Sequence, residues 1–170
     1  MTSFKLLASD LDGTLLGKPD ATLAFGHAWR EIPAKVRPKL CYLTGRIIGD
    51  ALDTVKYSDL PAPDYLITGS GTCVYNRRKK TVVKAFSEIF EETWDRRRIE
   101  TVLSTNPRIR KRRPHHQGRY KSSWCLEDAA EQEIDGLREC LEREGLDVVV
   151  HYYPEDSALD VLPPHADKAN

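Results

Sequence analysis

The sequence has no long hydrophobic run. Its N-terminal apolar stretch, Phe4 to Ala8, is short and is interrupted by Asp10, so it reads neither as a signal-peptide core nor as a membrane span. Charge of one sign is also lacking in excess: Lys and Arg total 26, Asp and Glu 26. A neutral balance gives no global pull towards nucleic acid or anionic lipid. Cysteine is scarce. Cys41, Cys73, Cys125 and Cys140 form no CxxC pair and no zinc-ligand spacing, which, without a leader, reads as reduced thiols in a cytoplasmic protein. No internal repeat or low-complexity linker interrupts the chain. With 40% hydrophobic and 31% charged residues in 170, the composition is that of a soluble globular chain, long enough for one ordinary domain or two small ones.

The periodicities alternate. Phe4–Ala8, "KLCYLT" (39–44) and "DYLIT" (64–68) read as buried strands. A helical stretch in the twenties and "GRIIGDALDTVKY" (45–57), with apolar residues at Ile47, Ile48, Leu52 and Val55, fall between them. Strand, helix, strand, helix, strand predicts a parallel sheet with crossover helices. After Gly71 the rhythm changes. "TCVYNRRKKTVVKAF" (72–86) reads as a hairpin, and a helix carrying Ile89, Phe90, Trp94, Ile99 and Val102 comes next. "RYKSSWCL" (119–126) is extended. Asp128 with Glu131 three residues on suggests a capping box, Ile134, Leu137 and Leu141 form one helix face, and Gly145 is a candidate stop. "LDVVVHYY" (146–153) and "ALDVLP" (158–163) complete the strands. The expected division is a core over 1–72, an α+β unit over 73–158, and a return to the core over 159–170.

Chemistry concentrates where the first strand ends, in "SDLDGTLL". Asp10 and Asp12 are two residues apart on extended chain and point the same way. Close like charges need a cation, a shared proton or a binding role. All-oxygen donors suit a hard ion such as Mg²⁺, and a carboxylate can also be a nucleophile. Rival motifs fail on spacing. An EF-hand loop from Asp10 meets Leu15 and Ala21 where Gly and Glu are required. "GTLLGKP" is one residue short of a P-loop and ends on Pro19. A bare DxDG is otherwise a strand-ending turn.

"SDLDGTL" followed by "LTGR" at the end of the second strand resembles the haloacid dehalogenase superfamily of phosphatases. "PDYLITGSGTCVY", "YKSSWCL" and "LDVLPPHADKAN" narrow the resemblance to its sugar-phosphate branch, which includes sucrose-phosphate and mannosylfructose-phosphate phosphatases, over nearly the whole chain. The resemblance implies an α/β Rossmann-like core with an inserted α+β cap that reads the sugar. It implies Asp10 as nucleophile and Asp12 as general acid and base, with Mg²⁺ on Asp10 and the main-chain carbonyl of Asp12. Thr44 and Lys168 would bind the phosphoryl group. Lys121, Ser123 and Arg46 would contact the sugar phosphate, with Gly69 and Ser70 at the core–cap junction. It further implies an acidic motif and more core strands after the lysine. The sequence stops two residues past Lys168, so the expectation is a core incomplete at its C-terminus, and the alternative to catalysis is a chain that only binds a sugar phosphate or a partner.

Several features carry quieter readings. Lys121 is alternatively a solvated lysine guarding an edge strand. Tyr120 and Trp124 read as cap core rather than sugar platforms. "RIRKRRPHH" (108–116) reads as a solvated loop rather than a nucleic-acid site, and the adjacent His115 and His116 are a weak metal motif. His151 and His165 read as structural or exposed, Cys73 and Cys125 as packing residues.

Overall fold

The computed structural model describes residues 4–166. Two sheets organise them. The first runs in the order β1 (Leu6–Asp10), β2 (Lys39–Leu43), β3 (Tyr65–Thr68), β4 (Cys73–Asn76) and β5 (Thr81–Val82). Its first two pairings are parallel and its last two antiparallel. Helix α1 (Pro19–Glu31) joins β1 to β2, and α2 (Ile48–Lys56) joins β2 to β3. Parallel neighbours require such crossovers, and burying Leu40, Tyr42 and Leu66 against Trp29, Ala51 and Val55 closes one core.

The second sheet runs β6 (Arg110–Lys111), β7 (Ser122–Cys125), β9 (Ala158–Leu162), β8 (Val149–Tyr153), antiparallel throughout. Helices α4 (Arg96–Leu103) and α5 (Glu131–Arg143) cover one of its faces. Ile99, Leu103, Ile134, Leu137 and Leu141 pack there on Trp124, Val150, Leu159 and Val161. Between the bodies, Phe90 and Tyr120 pack with Leu162 and Ala166 in a third cluster. Tyr120 and Trp124 are core, as expected.

The pairing departs from the expected boundaries at both ends. Residues 73–82 belong to the first sheet, because the Gly69–Ser70–Gly71 turn, with φ of 60°, 59° and 94°, reverses the chain at once and lays β4 along β3. β9 does not return to the core sheet. All five of its residues are buried, and such a strand is accommodated at the centre of a sheet, here between β7 and β8. The expected helix through Ile89–Val102 is broken into α3 (Lys84–Ser87), a 3₁₀ turn and α4, since Asp95 accepts from the Arg98 N–H and caps a new start. No capping box forms at α5. Its cap residue is Ala130, and Asp128 lies outside the helix in the left-handed region. Gly145 does end α5: its N–H bonds the Glu142 carbonyl and the Leu146 N–H that of Leu141, a Schellman stop.

Candidate active site

Three parallel strands end side by side, and the predicted core residues lie on the loops that leave them. Asp10 is the last residue of β1, Thr44 follows β2, and Gly69 and Ser70 follow β3. This is where open α/β sheets carry ligands. The turn after β1 is wound tightly, with the Leu15 and Leu16 N–H groups both on the Leu11 carbonyl and Gly13 at φ 75°. That winding lifts Asp12 over the strand ends.

Asp12 is gripped from the β2 loop. The buried Thr44 hydroxyl donates to Asp12 Oδ2 at 3.0 Å, and Arg46 donates to the same carboxylate from Nε at 3.2 Å and from its terminal nitrogen at 2.9 Å. Arg46 also pairs with Asp50 at 3.0 Å, one helical turn on. Hydrogen bonding to Asp12 is the main cause holding the Arg46 guanidinium above its ordinary pKa. The β3 loop is stitched to the same segment: the Gly69 N–H donates to the Arg46 carbonyl at 2.8 Å and the Ser70 N–H to that of Thr44 at 3.2 Å. Gly69 is required sterically, since with φ +60° a Cβ there would stand 2.6 Å from Thr72 Oγ1.

Lys121 reaches this loop from the second sheet. Its side chain is 7% exposed; Nζ donates to the Gly45 carbonyl at 3.1 Å and pairs with Asp160 Oδ2 at 2.6 Å. The edge-lysine reading is therefore corrected. β7 has neighbours on both sides, and Lys121 is a buried cation spanning the two bodies. Ser123 is fully buried and lies opposite Asp160 in register. Lys168 falls outside the described residues.

Sequence reasoning missed Asp160, Asp50 and Gln117. Asp160 left a signal, an acid inside the apolar run "ALDVL". Asp50 stands four residues after Arg46 on α2. Gln117, whose side chain bonds both the N–H and the carbonyl of Ser123, left none. The basic run is largely partnered: Arg108 pairs with Glu133, Arg110 with Glu127 and Lys111 with Glu100. The His115 and His116 rings lie 4.1 Å apart, tilted by 46°, and among the described residues no three His, Cys, Asp or Glu side chains converge as a metal set. With the Asp12 carboxylate taken up by Thr44 and Arg46, what the β1 end offers an ion is the Asp10 carboxylate and the Asp12 main-chain carbonyl. These donors are hard and too few for an all-protein cage, which fits Mg²⁺, an ion that keeps several waters. Beside the site a cavity of about 420 Å³ opens between Ile47–Gly49, Thr72–Cys73 and Gly118–Tyr120.

A parallel core sheet with paired acids at the end of its first strand, roofed by an α+β sheet, defines a haloacid dehalogenase-type phosphatase. The chain belongs to the sucrose-6F-phosphate phosphohydrolase family, whose sequence model matches residues 3–170, and so to the sugar-phosphate phosphatases, which are phosphoric monoester hydrolases. It is 33% identical over 168 residues to mannosylfructose-phosphate phosphatase of Agrobacterium fabrum, covering 99% of this chain and 67% of that protein. The sucrose-phosphatase of Synechocystis sp. PCC6803, solved with sucrose and phosphate, superposes with a TM-score of 0.87 at 27% identity, over 100% of this chain and 68% of that one. Glucosylglycerol-phosphate synthase of Pseudomonas anguilliseptica is 29% identical over 97% of this chain and 21% of its own length.

Proposed function

We propose that the protein hydrolyses the phosphate monoester of a phosphorylated disaccharide, such as sucrose-phosphate or mannosylfructose-phosphate, in two steps on Asp10. The supporting observation is the clamp at the β1 end, where Thr44 and Arg46 fix the Asp12 carboxylate two residues beyond Asp10. In the first step an Asp10 oxygen attacks phosphorus, the bond from phosphorus to the sugar oxygen breaks, and Asp12 passes a proton to that oxygen. In the second, water attacks the aspartyl-phosphate, Asp12 takes the water's proton, and inorganic phosphate leaves. Asp12 starts ion-paired, so it can give a proton only after taking one up from solvent as the Arg46 guanidinium is drawn off it onto the substrate. That exchange makes Arg46 a sensor of an occupied site. Thr44 and Lys168 hold the phosphoryl oxygens, and Mg²⁺, when bound at Asp10 and the Asp12 carbonyl, adds positive charge against them. Gly69 and Ser70 border the sugar, while Lys121 and Ser123 meet it from the cap. The cavity at the junction is of ligand size.

The partner is thus a small sugar phosphate. The pairing of the basic run with acids argues against nucleic acid, and among the described residues no helix is long and apolar enough to cross a membrane. Four free thiols accord with a reducing, cytoplasmic setting.

Phosphate release from sucrose-phosphate, mannosylfructose-phosphate, trehalose-phosphate and monosaccharide phosphates, with and without a chelator, tests the reading. Chelator-sensitive turnover of a disaccharide phosphate, abolished in a folded Asp10→Asn variant, is expected. Turnover that survives Asp10→Asn removes that residue from the mechanism, and binding without turnover establishes the sugar-phosphate-binding alternative.

A further inference from the structure

The sequence carries two basic runs, and the fold treats them differently. The run at 108–116 is answered by Glu100, Glu127 and Glu133. The other, Arg77–Arg78–Lys79–Lys80, is the turn between β4 and β5, and among the described residues none of its side chains makes a salt bridge or a hydrogen bond. The turn itself is well defined. The Lys79 N–H donates to Asn76 Oδ1 at 3.0 Å, the Lys80 N–H donates to the Arg77 carbonyl at 3.3 Å, and Lys80 takes a left-handed φ of 54°. The Arg77 N–H donates to the Asp64 carbonyl at 3.0 Å, which ties the turn to the start of β3.

Arg77 and Arg78 stand on the wall of a cavity of about 400 Å³, together with Arg37, Lys39, Asp64 and Trp29. Asp64 is the acid among these charges, and it is already spent: one carboxylate oxygen holds Lys39 Nζ at 2.8 Å and the other accepts from the Leu40 N–H at 3.0 Å. Three guanidinium groups are left without a counter-charge in the cavity. Arg37 is built in. Its Nε donates to the Ile32 carbonyl at 3.0 Å, a terminal nitrogen donates to the Arg30 carbonyl at 3.1 Å, and the guanidinium lies over the Trp29 ring, 5.9 Å from its centroid. Like charges gathered in this way repel unless an anion offsets them. A guanidinium is a planar fork that pairs with two phosphate oxygens at once. One phosphate group carries at most about two charges, whereas three forks around a cavity suit phosphates linked in a short chain. The volume is that of a small-molecule site.

We propose that this cavity is a second anion site, which takes a short phosphate chain, either free or carried by a nucleotide, between Arg37, Arg77 and Arg78. It is separate from the paired acids. Lys39 opens β2 and Thr44 follows its end, so the length of a five-residue strand, about 17 Å, lies between the two places. A ligand held there fastens the β4–β5 turn to the segment that leads into β2. The proposal is independent of the phosphatase reading.

The test is calorimetric titration of the protein with inorganic triphosphate, ATP and sulfate, with a chelator present to keep metal–phosphate complexes from the Asp10 end. Hydrogen exchange read by mass spectrometry locates the ligand. Arg77→Ala combined with Arg78→Ala removes two exposed side chains that hold nothing in the fold, and Arg37→Lys keeps a charge while removing its fork. Triphosphate should bind at least about tenfold more tightly than sulfate, and should slow exchange over 29–39 and 64–80 but not over 44–46. The double variant should lose at least about tenfold in triphosphate affinity, and Arg37→Lys at least about threefold. Both triphosphate and ATP should bind, and the tighter of the two identifies the source as a free or a nucleoside-borne chain. No binding of triphosphate, equal affinity for sulfate, unchanged affinity in the double variant, or protection confined to 44–46 overturns the proposal. So does binding of an acidic peptide or an oligonucleotide where triphosphate fails, which would make the turn a macromolecular contact instead.

Discussion

At the scale of the residue, burial decides what each charge can do. The Arg46–Asp12 pair sits where both side chains are well exposed, so it is worth little to stability, and its value is in positioning. Lys121 and Asp160 are the reverse case, at 7% and 6% side-chain exposure. Removing one partner of such a pair leaves an uncompensated buried charge. Lys121→Ala should therefore cost roughly 3–5 kcal/mol in urea unfolding, while the double change Lys121→Met with Asp160→Leu should recover most of it. A single-variant loss below about 1 kcal/mol would mean that the pair is solvated in solution. Next to it, His116 is held below its ordinary pKa by burial first, then by Arg112, His115 and Lys121, with Asp160 opposing. A histidine whose folded pKa is depressed contributes stability that is present above the unfolded value and is lost as pH falls towards the folded one. Urea midpoints should accordingly drop between about pH 7 and pH 5, and His116→Gln should flatten that part of the profile. Parallel profiles for the two proteins would assign the slope to another group.

At the scale of the element, identical substitutions on two helices should have opposite signs. Gly26 is buried on α1, and a Cβ there would meet the Asp59 carbonyl oxygen at 2.5 Å, a main-chain atom that cannot swing aside. Gly136 lies on the exposed side of α5, and a Cβ added there would find nothing within 4 Å. Gly26→Ala should thus destabilise by about 1–3 kcal/mol through overpacking. Gly136→Ala should stabilise by about 0.5–1 kcal/mol, because alanine loses less backbone entropy in a helix. Thermal or urea unfolding of the two variants checks both, and a stabilising Gly26→Ala would show that α1 can move off the 59 loop at little cost.

At the scale of the molecule, the first sheet presents an apolar border. Among the described residues β1 has β2 as its one sheet neighbour, and Phe4, Leu6 and Leu7 are 82%, 54% and 38% exposed. An extended apolar edge with unpaired main-chain groups is a template for pairing with another chain. The 170-residue chain expressed by itself should therefore self-associate in a concentration-dependent way, as read by light scattering on a sizing column. Leu6→Lys, which puts a charge on that edge where the side chain is already exposed, should shift it towards monomer. A monomer at high concentration without the substitution would show the edge to be guarded in some other way.

Local chemistry carries far along this sequence. The carboxylate spacing at Asp10 and Asp12, the Thr-Gly-Arg after the second strand, the apolar stripe Ile134–Leu137–Leu141 and the stop at Gly145 are signals written within a few residues, and the fold keeps each of them. Motif order was enough to indicate the family. What the sequence could not express is which distant strands pair. Whether residues 73–82 extend the first sheet or open the second depends on the geometry of one turn. The place of β9 between β7 and β8 depends on burying both faces of an apolar strand that contains a single acid. That acid, Asp160, lies 39 positions from Lys121, and neither residue's neighbours in sequence point to the other. Hydrophobic periodicity constrains faces and caps constrain ends, but the partner of a buried charge is chosen only when the strands that carry it have docked.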